Sequence, residues 1–217
     1  MWDRKYHRSP DMVVIEGPLA GGHLGFSRED LIEYGADTAD VPSTYRQASY
    51  DEEIHKIKEV ISQYEKKYNC KIPVVSAGGV FSREDMEHHM GLGVDGVQVG
   101  TRFVTTRECD APLSYKQSYI NAKKEDIIIV KSPVGMPGRA IKNPFMEKVL
   151  REKEKISHCF CCLEHCNPAE IPYCITRALI RAAKGQVEDA LLFCGANAYR
   201  CHRIETVEEV MADLCEE

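Results

Sequence analysis

Short runs of β-branched residues alternate with polar, helix-forming stretches over the first hundred or so positions. Met12-Val13-Val14-Ile15 runs into Glu16-Gly17-Pro18, and Ile72-Pro73-Val74-Val75 runs into Ser76-Ala77-Gly78-Gly79. Each has the length and composition of a buried parallel strand closed by turn residues. The residues after the two runs are nearly alike: Ala20-Gly21-Gly22-His23 leads to Phe26-Ser27-Arg28-Glu29-Asp30, and Ala77-Gly78-Gly79-Val80 leads to Phe81-Ser82-Arg83-Glu84-Asp85. A serine three residues ahead of an acidic residue marks a capping box variant at the start of a helix. The chain thus repeats a unit of strand, glycine-rich loop and capped helix.

Between the two units, Ser49 with Glu52 predicts the opening of a longer helix. Ile54, Ile57, Ile61, Tyr64 and Tyr68 form its apolar stripe, and the Lys and Glu between them face water. A third strand is predicted over 93–101, where Val94, Gly96 and Gln98 alternate with Val97 and Val99. Strand, helix, strand, helix, strand is the rhythm of a parallel α/β sheet or barrel. Residues 127–130 form a fourth apolar run, 132–139 read as a loop, and helices are predicted over 144–155, 172–184 and 207–215.

Composition narrows the class. The 217 residues are 43% hydrophobic and 29% charged, enough for a true core and unlike disordered, collagenous or coiled-coil chains. Lys and Arg number 28 against 34 Asp and Glu, a net charge of −6 with no block of like sign, which gives no footing to nucleic acid or an anionic membrane as partner. No apolar run approaches the roughly 20 residues needed to cross a bilayer. The opening Met1-Trp2-Asp3-Arg4-Lys5 lacks a following apolar region, so no signal peptide is read and a cytoplasmic protein is expected. Of the ten cysteines, Cys70 and Cys109 precede residue 150 and the other eight follow it, a shift that sets off the C-terminal part.

Candidate chemistry gathers at the strand ends. Gly78-Gly79 and Gly100-Thr101 each follow a predicted strand, where glycines let backbone N–H groups approach an anion closely. Tight turns alone would also use such glycines, but two such loops in succession point to a phosphate site of the kind found at the last two strands of (β/α)8 barrels. Thr101 offers a hydroxyl and Gln98 a reach toward a cofactor ring. His23, directly after Gly21-Gly22, has an imidazole suited to taking a proton from an activated carbon near neutral pH. His88 and His89 read as surface residues of a helix, and Glu16 and Asp95 as ion-pair or turn residues.

Residues 16–23, 73–80 and 96–103, with Ser132-Pro133 through Gly138-Arg139-Ala140-Ile141-Lys142-Asn143, resemble the nitronate monooxygenase family, which shares these motifs with the flavin-dependent enoyl-ACP reductases. The four motifs occur in order over 12–143; they are specific for the superfamily and discriminate poorly among its members. The resemblance implies an α/β fold, the C-terminal part of an FMN-binding TIM barrel in which the three predicted strands are the sixth, seventh and eighth. It implies a partial barrel over 1–125 and a cap with a Cys-rich helical segment over 126–217. Gly21, Gly22, Ala77, Gly78, Gly79, Gln98, Gly100 and Thr101 would bind FMN, and His23 would be catalytic, handling the proton on the carbon that bears the nitro group. Members of the monooxygenase type commonly carry Glu where this chain has Leu19.

The function implied is FMN-dependent oxidation of nitronates with oxygen; the alternatives are NAD(P)H-dependent reduction of an enoyl thioester, or a non-catalytic fragment or metal-binding module. Only about eleven residues precede the strand that would be sixth, so a barrel fragment or split gene product is expected, completed by an N-terminal half-barrel or a homo-oligomer. The cysteines at 159, 161, 162, 166 and 174, with Cys194 and Cys201, admit three readings: reduced thiols in a helical cap, a structural metal with His158 and His165 as further ligands, or redox disulfides. No metal ligand is assigned.

Overall fold

A computed structural model describes residues 2–38, 43–164 and 166–215, and of Trp2 the backbone alone. His165 lies outside the described residues. In chain order the elements are α1 (Trp2–Tyr6), β1 (Val13–Glu16), β2 (Gly22–His23), α2 (Arg28–Glu33), α3 (Gln47–Tyr68), β3 (Val74–Ala77), α4 (Arg83–Gly91), β4 (Gly96–Gln98), α5 (Thr101–Val104) and α6 (Leu113–Asn121). They continue with β5 (Ile127–Lys131), β6 (Pro137–Ile141), α7 (Pro144–Arg151), α8 (Ile175–Ala183) and α9 (Val207–Cys215).

The three predicted strands form one parallel sheet in the order β1-β3-β4. Its register sets Glu16 opposite Ala77 and Ala77 opposite Gln98, so these three side chains share one face and one layer. The other face is covered by α3, where Tyr50, Ile54 and Ile61 pack on Ile15, Ile72, Val74 and Val94. Among the described residues β1 and β4 each pair with β3 alone, which leaves both outer edges of the sheet open.

Both capping boxes form. Asp30 N–H donates to Ser27 Oγ at 3.1 Å and Ser27 N–H to the Asp30 carboxylate at 2.8 Å; in the second copy Asp85 N–H donates to Ser82 Oγ at 3.4 Å and Ser82 N–H to Asp85 at 2.8 Å. The long helix differs in its start: α3 opens at Gln47 behind Arg46, which makes no side-chain cap, so Ser49 lies inside the first turn. Its end is fixed by Asn69 in the left-handed region, φ 50° and ψ 46°, a conformation asparagine tolerates better than most residues.

A second sheet, antiparallel in the order β2-β6-β5, replaces the loop expected over 132–139. Only 132–136 turn; 137–141 pair with both β5 and the two residues of β2, and Ala140 bridges to Phe193. The largest of the buried clusters joins Phe81 and Tyr119 to Leu192, Cys194 and Cys201, so residues before and after position 125 share a core. The Cys-rich segment is a correction to the helical expectation. Between α7 and α8 the described residues form no helix or strand; Cys159, Cys161, Cys162 and Cys166 lie in that irregular stretch and Cys174 caps α8. No helix among the described residues is long and apolar enough to cross a membrane.

Candidate active site

The carboxyl ends of β1, β3 and β4 open onto a cavity of about 250 Å³. Gly21, Gly22, Ala77, Gly78, Gly79, Gln98, Gly100 and Thr101 all border it, brought together from three separate loops. Gly78 and Gly79 stand at φ 91° and 88°, two successive residues in a region closed to side chains, and a Cβ on Gly78 would lie 2.8 Å from Ala20 N. Gly21 packs equally close, since a Cβ there would meet the Cys194–Gly195 peptide at 2.6 Å. Asn197 Nδ2 donates to Gly79 O at 2.6 Å and holds the loop's outer side. The Thr101 hydroxyl oxygen accepts Gly195 N–H at 3.0 Å and keeps its own proton to donate.

The residues fit a phosphate-bearing cofactor. Cβ atoms placed on Gly22 and Gly100 would meet no protein atom within 4 Å. At these two positions the backbone is bare, and a bound anion could approach it without a side chain intervening.

His23 is not among the residues that border this cavity; it follows the lining residue Gly22 in the chain. Pairing of β2 with β6 sets it opposite Gly138. Its Nε2 lies 2.7 Å from Ser132 Oγ, and the Ser132 oxygen also accepts Val134 N–H at 3.3 Å. Phe193, a lining residue of the cavity, meets the imidazole edge-on at 4.8 Å between ring centres. Partial burial lowers the His23 pKa below its ordinary value, which keeps the ring neutral at neutral pH.

Three further residues lie outside the set expected from sequence. Glu16 lines the cavity rather than forming an ion pair: among the described residues it makes no salt bridge, and burial raises its pKa. Cys194 also lines the cavity, its thiol held neutral by burial that pushes its pKa up to about 12. Arg139 is 2% exposed and spends its guanidinium on two backbone carbonyls, Ala20 O through Nη1 and Ala36 O through Nη2 at 2.7 Å. Burial brings its pKa down to about 10, so it remains a cation behind the Ala20–Gly21 loop. Alternation along β1 could have flagged Glu16, since residue 16 shares the face of residue 14; nothing local marks Arg139 or Cys194.

Contacts also place the two remaining polar residues. His89 is buried, not at the surface, with Nδ1 2.9 Å from Ser76 Oγ. Asp95 is the ion-pair and turn residue expected, 3.3 Å from Lys71 Nζ and accepting Val74 N–H at 2.9 Å.

The family model for nitronate monooxygenase matches residues 4–217. The chain belongs to the nitronate monooxygenase family. A probable nitronate monooxygenase from Staphylococcus saprophyticus is 31% identical over 146 residues, covering 67% of this chain and 36% of that protein. Its counterpart from Staphylococcus haemolyticus is 32% identical over 147 residues, covering 65% and 34%. The aligned region spans about a third of these curated relatives. Among solved structures, FabK from Thermotoga maritima superposes with a TM-score of 0.62 at 24% identity, over 94% of this chain and 53% of that one. Nitroalkane oxidase from Streptomyces ansochromogenes gives 0.58 at 20% identity, over 95% and 52%. At these identities the structural likeness speaks for the α/β fold.

Proposed function

We propose that the chain forms the last three strands and the phosphate loops of an FMN-dependent TIM-barrel oxidoreductase that oxidises alkyl nitronates with oxygen. One observation carries the reading: all eight residues marked for the cofactor from sequence border a single cavity, and His23 packs on Phe193, which also borders it. Family membership supports the reaction class. The open edges of β1 and β4 suit the five earlier strands of such a barrel, which would close over the layer of Glu16, Ala77 and Gln98.

FMN, when bound, would take up electrons from the substrate and deliver them to oxygen. The chain's own groups bind, orient and move the proton. Backbone N–H groups of the 78–79 and 100–101 loops and the Thr101 hydroxyl would hold the phosphate, and Gln98 would face the ring. In the tautomer that donates Nε2–H to Ser132, the free Nδ1 lone pair would accept the α-proton of a neutral nitroalkane and so generate the nitronate in the site; His23 takes no proton from a nitronate supplied as such. Phe193 shields that imidazole from water on one side.

The test is direct. The purified protein is expected to bind FMN in a fluorescence-quenching titration and to consume propane-2-nitronate with oxygen uptake. Gly79→Val, which forces a β-branched residue to φ 88° and sets its Cβ 3.1 Å from the Leu19 side chain, is expected to lose most of the retained flavin. Stoichiometric FMN in the Gly79→Val protein would overturn the phosphate-loop assignment. NADH oxidation dependent on a crotonyl thioester, without nitronate turnover, would replace the substrate assignment by that of an enoyl reductase.

A further inference from the structure

Between α7 and α8 the described residues form no helix or strand, and connections of that length are usually either functional or linkers. Four cysteines gather there at one place. Cys159, Cys162, Cys166 and Cys174 line one small cavity of about 10 Å³, floored by apolar side chains that include Leu163 and Ile175; Cys159 and Cys162 are exposed, Cys166 half-buried and Cys174 buried. We propose that these four thiols form a closed structural site for a single zinc ion.

The surroundings are those of thiolate ligands. Cys161 occupies the left-handed region at φ 51°, turning the backbone between Cys159 and Cys162 so that both border the cavity while Cys161 does not. Cys161 N–H donates to Cys159 Sγ at 3.4 Å, and the Thr176 hydroxyl donates to Cys162 Sγ at 2.9 Å. Outer-shell donors of this kind orient ligands and stabilise negative sulfur. Cys174 is the N-cap residue of the nine-residue α8, which fixes the position of its Cβ relative to the irregular stretch.

Four sulfur ligands leave no open position, which is the pattern of a structural zinc. Among the described residues no three His, Cys, Asp or Glu side chains already stand at metal-holding distance, so the thiols must turn inward as the ion enters. His158 does not take part; its ring packs on Phe160 at 5.1 Å. The ion would fasten the segment to the buried cluster of Phe145, Tyr173 and Leu191, against which Phe193 also packs.

The experiment uses the full chain, reduced, stripped with a chelator and titrated with zinc alone against a chromophoric competitor. One zinc per chain is expected. Cys159→Ser, Cys162→Ser, Cys166→Ser and Cys174→Ser should each weaken binding by at least about 100-fold, because each thiolate carries a large share of a structural zinc's binding energy. Cys161→Ser should keep the parental affinity. Since a serine variant could fail for reasons of folding, thiol alkylation of the unmutated protein provides the second readout. Zinc should protect those four cysteines and leave Cys70, Cys161 and Cys215, all exposed, reactive. No tight zinc, equal loss in Cys161→Ser, protection of a different set, or the visible absorption of an iron–sulfur cluster in the isolated protein would each overturn the assignment.

Discussion

His23→Ala is expected to lower turnover of neutral 2-nitropropane by about 10²–10⁴-fold while leaving FMN retention close to that of the parent, since that is the range a positioned proton acceptor contributes and the neutral nitroalkane, unlike its nitronate, still carries the proton. Geometry separates the two effects. The imidazole is bonded to Ser132 and edged by the cavity-lining Phe193, whereas the glycine loops proposed for the phosphate are built from other segments. Steady-state oxygen uptake and flavin content, measured on the same preparation, check both. An unchanged rate would remove His23 from the reaction; lost flavin would make it a structural residue of the cavity. Burial also fixes the sign of the pH effect. It lowers the His23 pKa, so the neutral, proton-accepting form persists to more acid pH than an ordinary histidine allows. The acid limb of the kcat/KM profile is therefore expected below the usual histidine range, and it should disappear in His23→Ala.

Arg139→Met is expected to be the most damaging single change to stability near the site. The side chain is buried and its two donors satisfy Ala20 O and Ala36 O, which methionine would leave facing an apolar interior. Unpaired buried carbonyls of this kind cost about 1–3 kcal/mol each, so about 2–6 kcal/mol in all. For a chain of this size that is a fall in Tm of about 4–24 °C. Because Ala20 leads into Gly21 and Gly22, flavin affinity should fall as well. Arg139→Lys should rescue only part of either loss, since one ammonium cannot reproduce the planar fork that reaches both carbonyls. A melting curve and an FMN titration of the two variants test this; a Met variant as stable as the parent would show that the clamp holds nothing.

The features legible in the sequence are those encoded locally. Two β-branched runs and two Ser-x-x-Asp boxes specify β1, β3, α2 and α4 without reference to any distant residue, and the same loops carry the glycines that border the cavity. β6 is hidden because Pro137-Gly138-Arg139-Ala140-Ile141 has a poor strand composition; it is a strand because β5 on one side and β2 on the other supply partners. α6 lacks a side-chain cap behind Pro112 and has only a mixed pattern, so its Tyr119 and Lys116 reach the core unannounced. His88 and His89 look alike in the chain, yet only His89 turns toward Ser76 and leaves the surface. Glu16 stands at a strand end as its sequence predicts but without an ion-pair partner among the described residues, since a salt bridge needs a cation from a distant segment. The cysteines mislead most: the flanking pattern suggests helices, but the stretch that holds them has no regular backbone at all.

The pairing of β2 with β6 has a bearing on the order in which the molecule assembles. Each capped strand–loop–helix unit closes through contacts a few residues apart, but the Arg139 guanidinium meets Ala20 across 119 positions and Asn197 meets Gly79 across 118. Loop closure over such separations costs entropy before any contact repays it, so these joints form late in folding and the local units form early. The cavity wall is then the last part of the chain to become fixed. In hydrogen exchange, the amides of Gly22 and Ala196 should open at lower free energy than those of β3, and ligand binding at the cavity should protect them first.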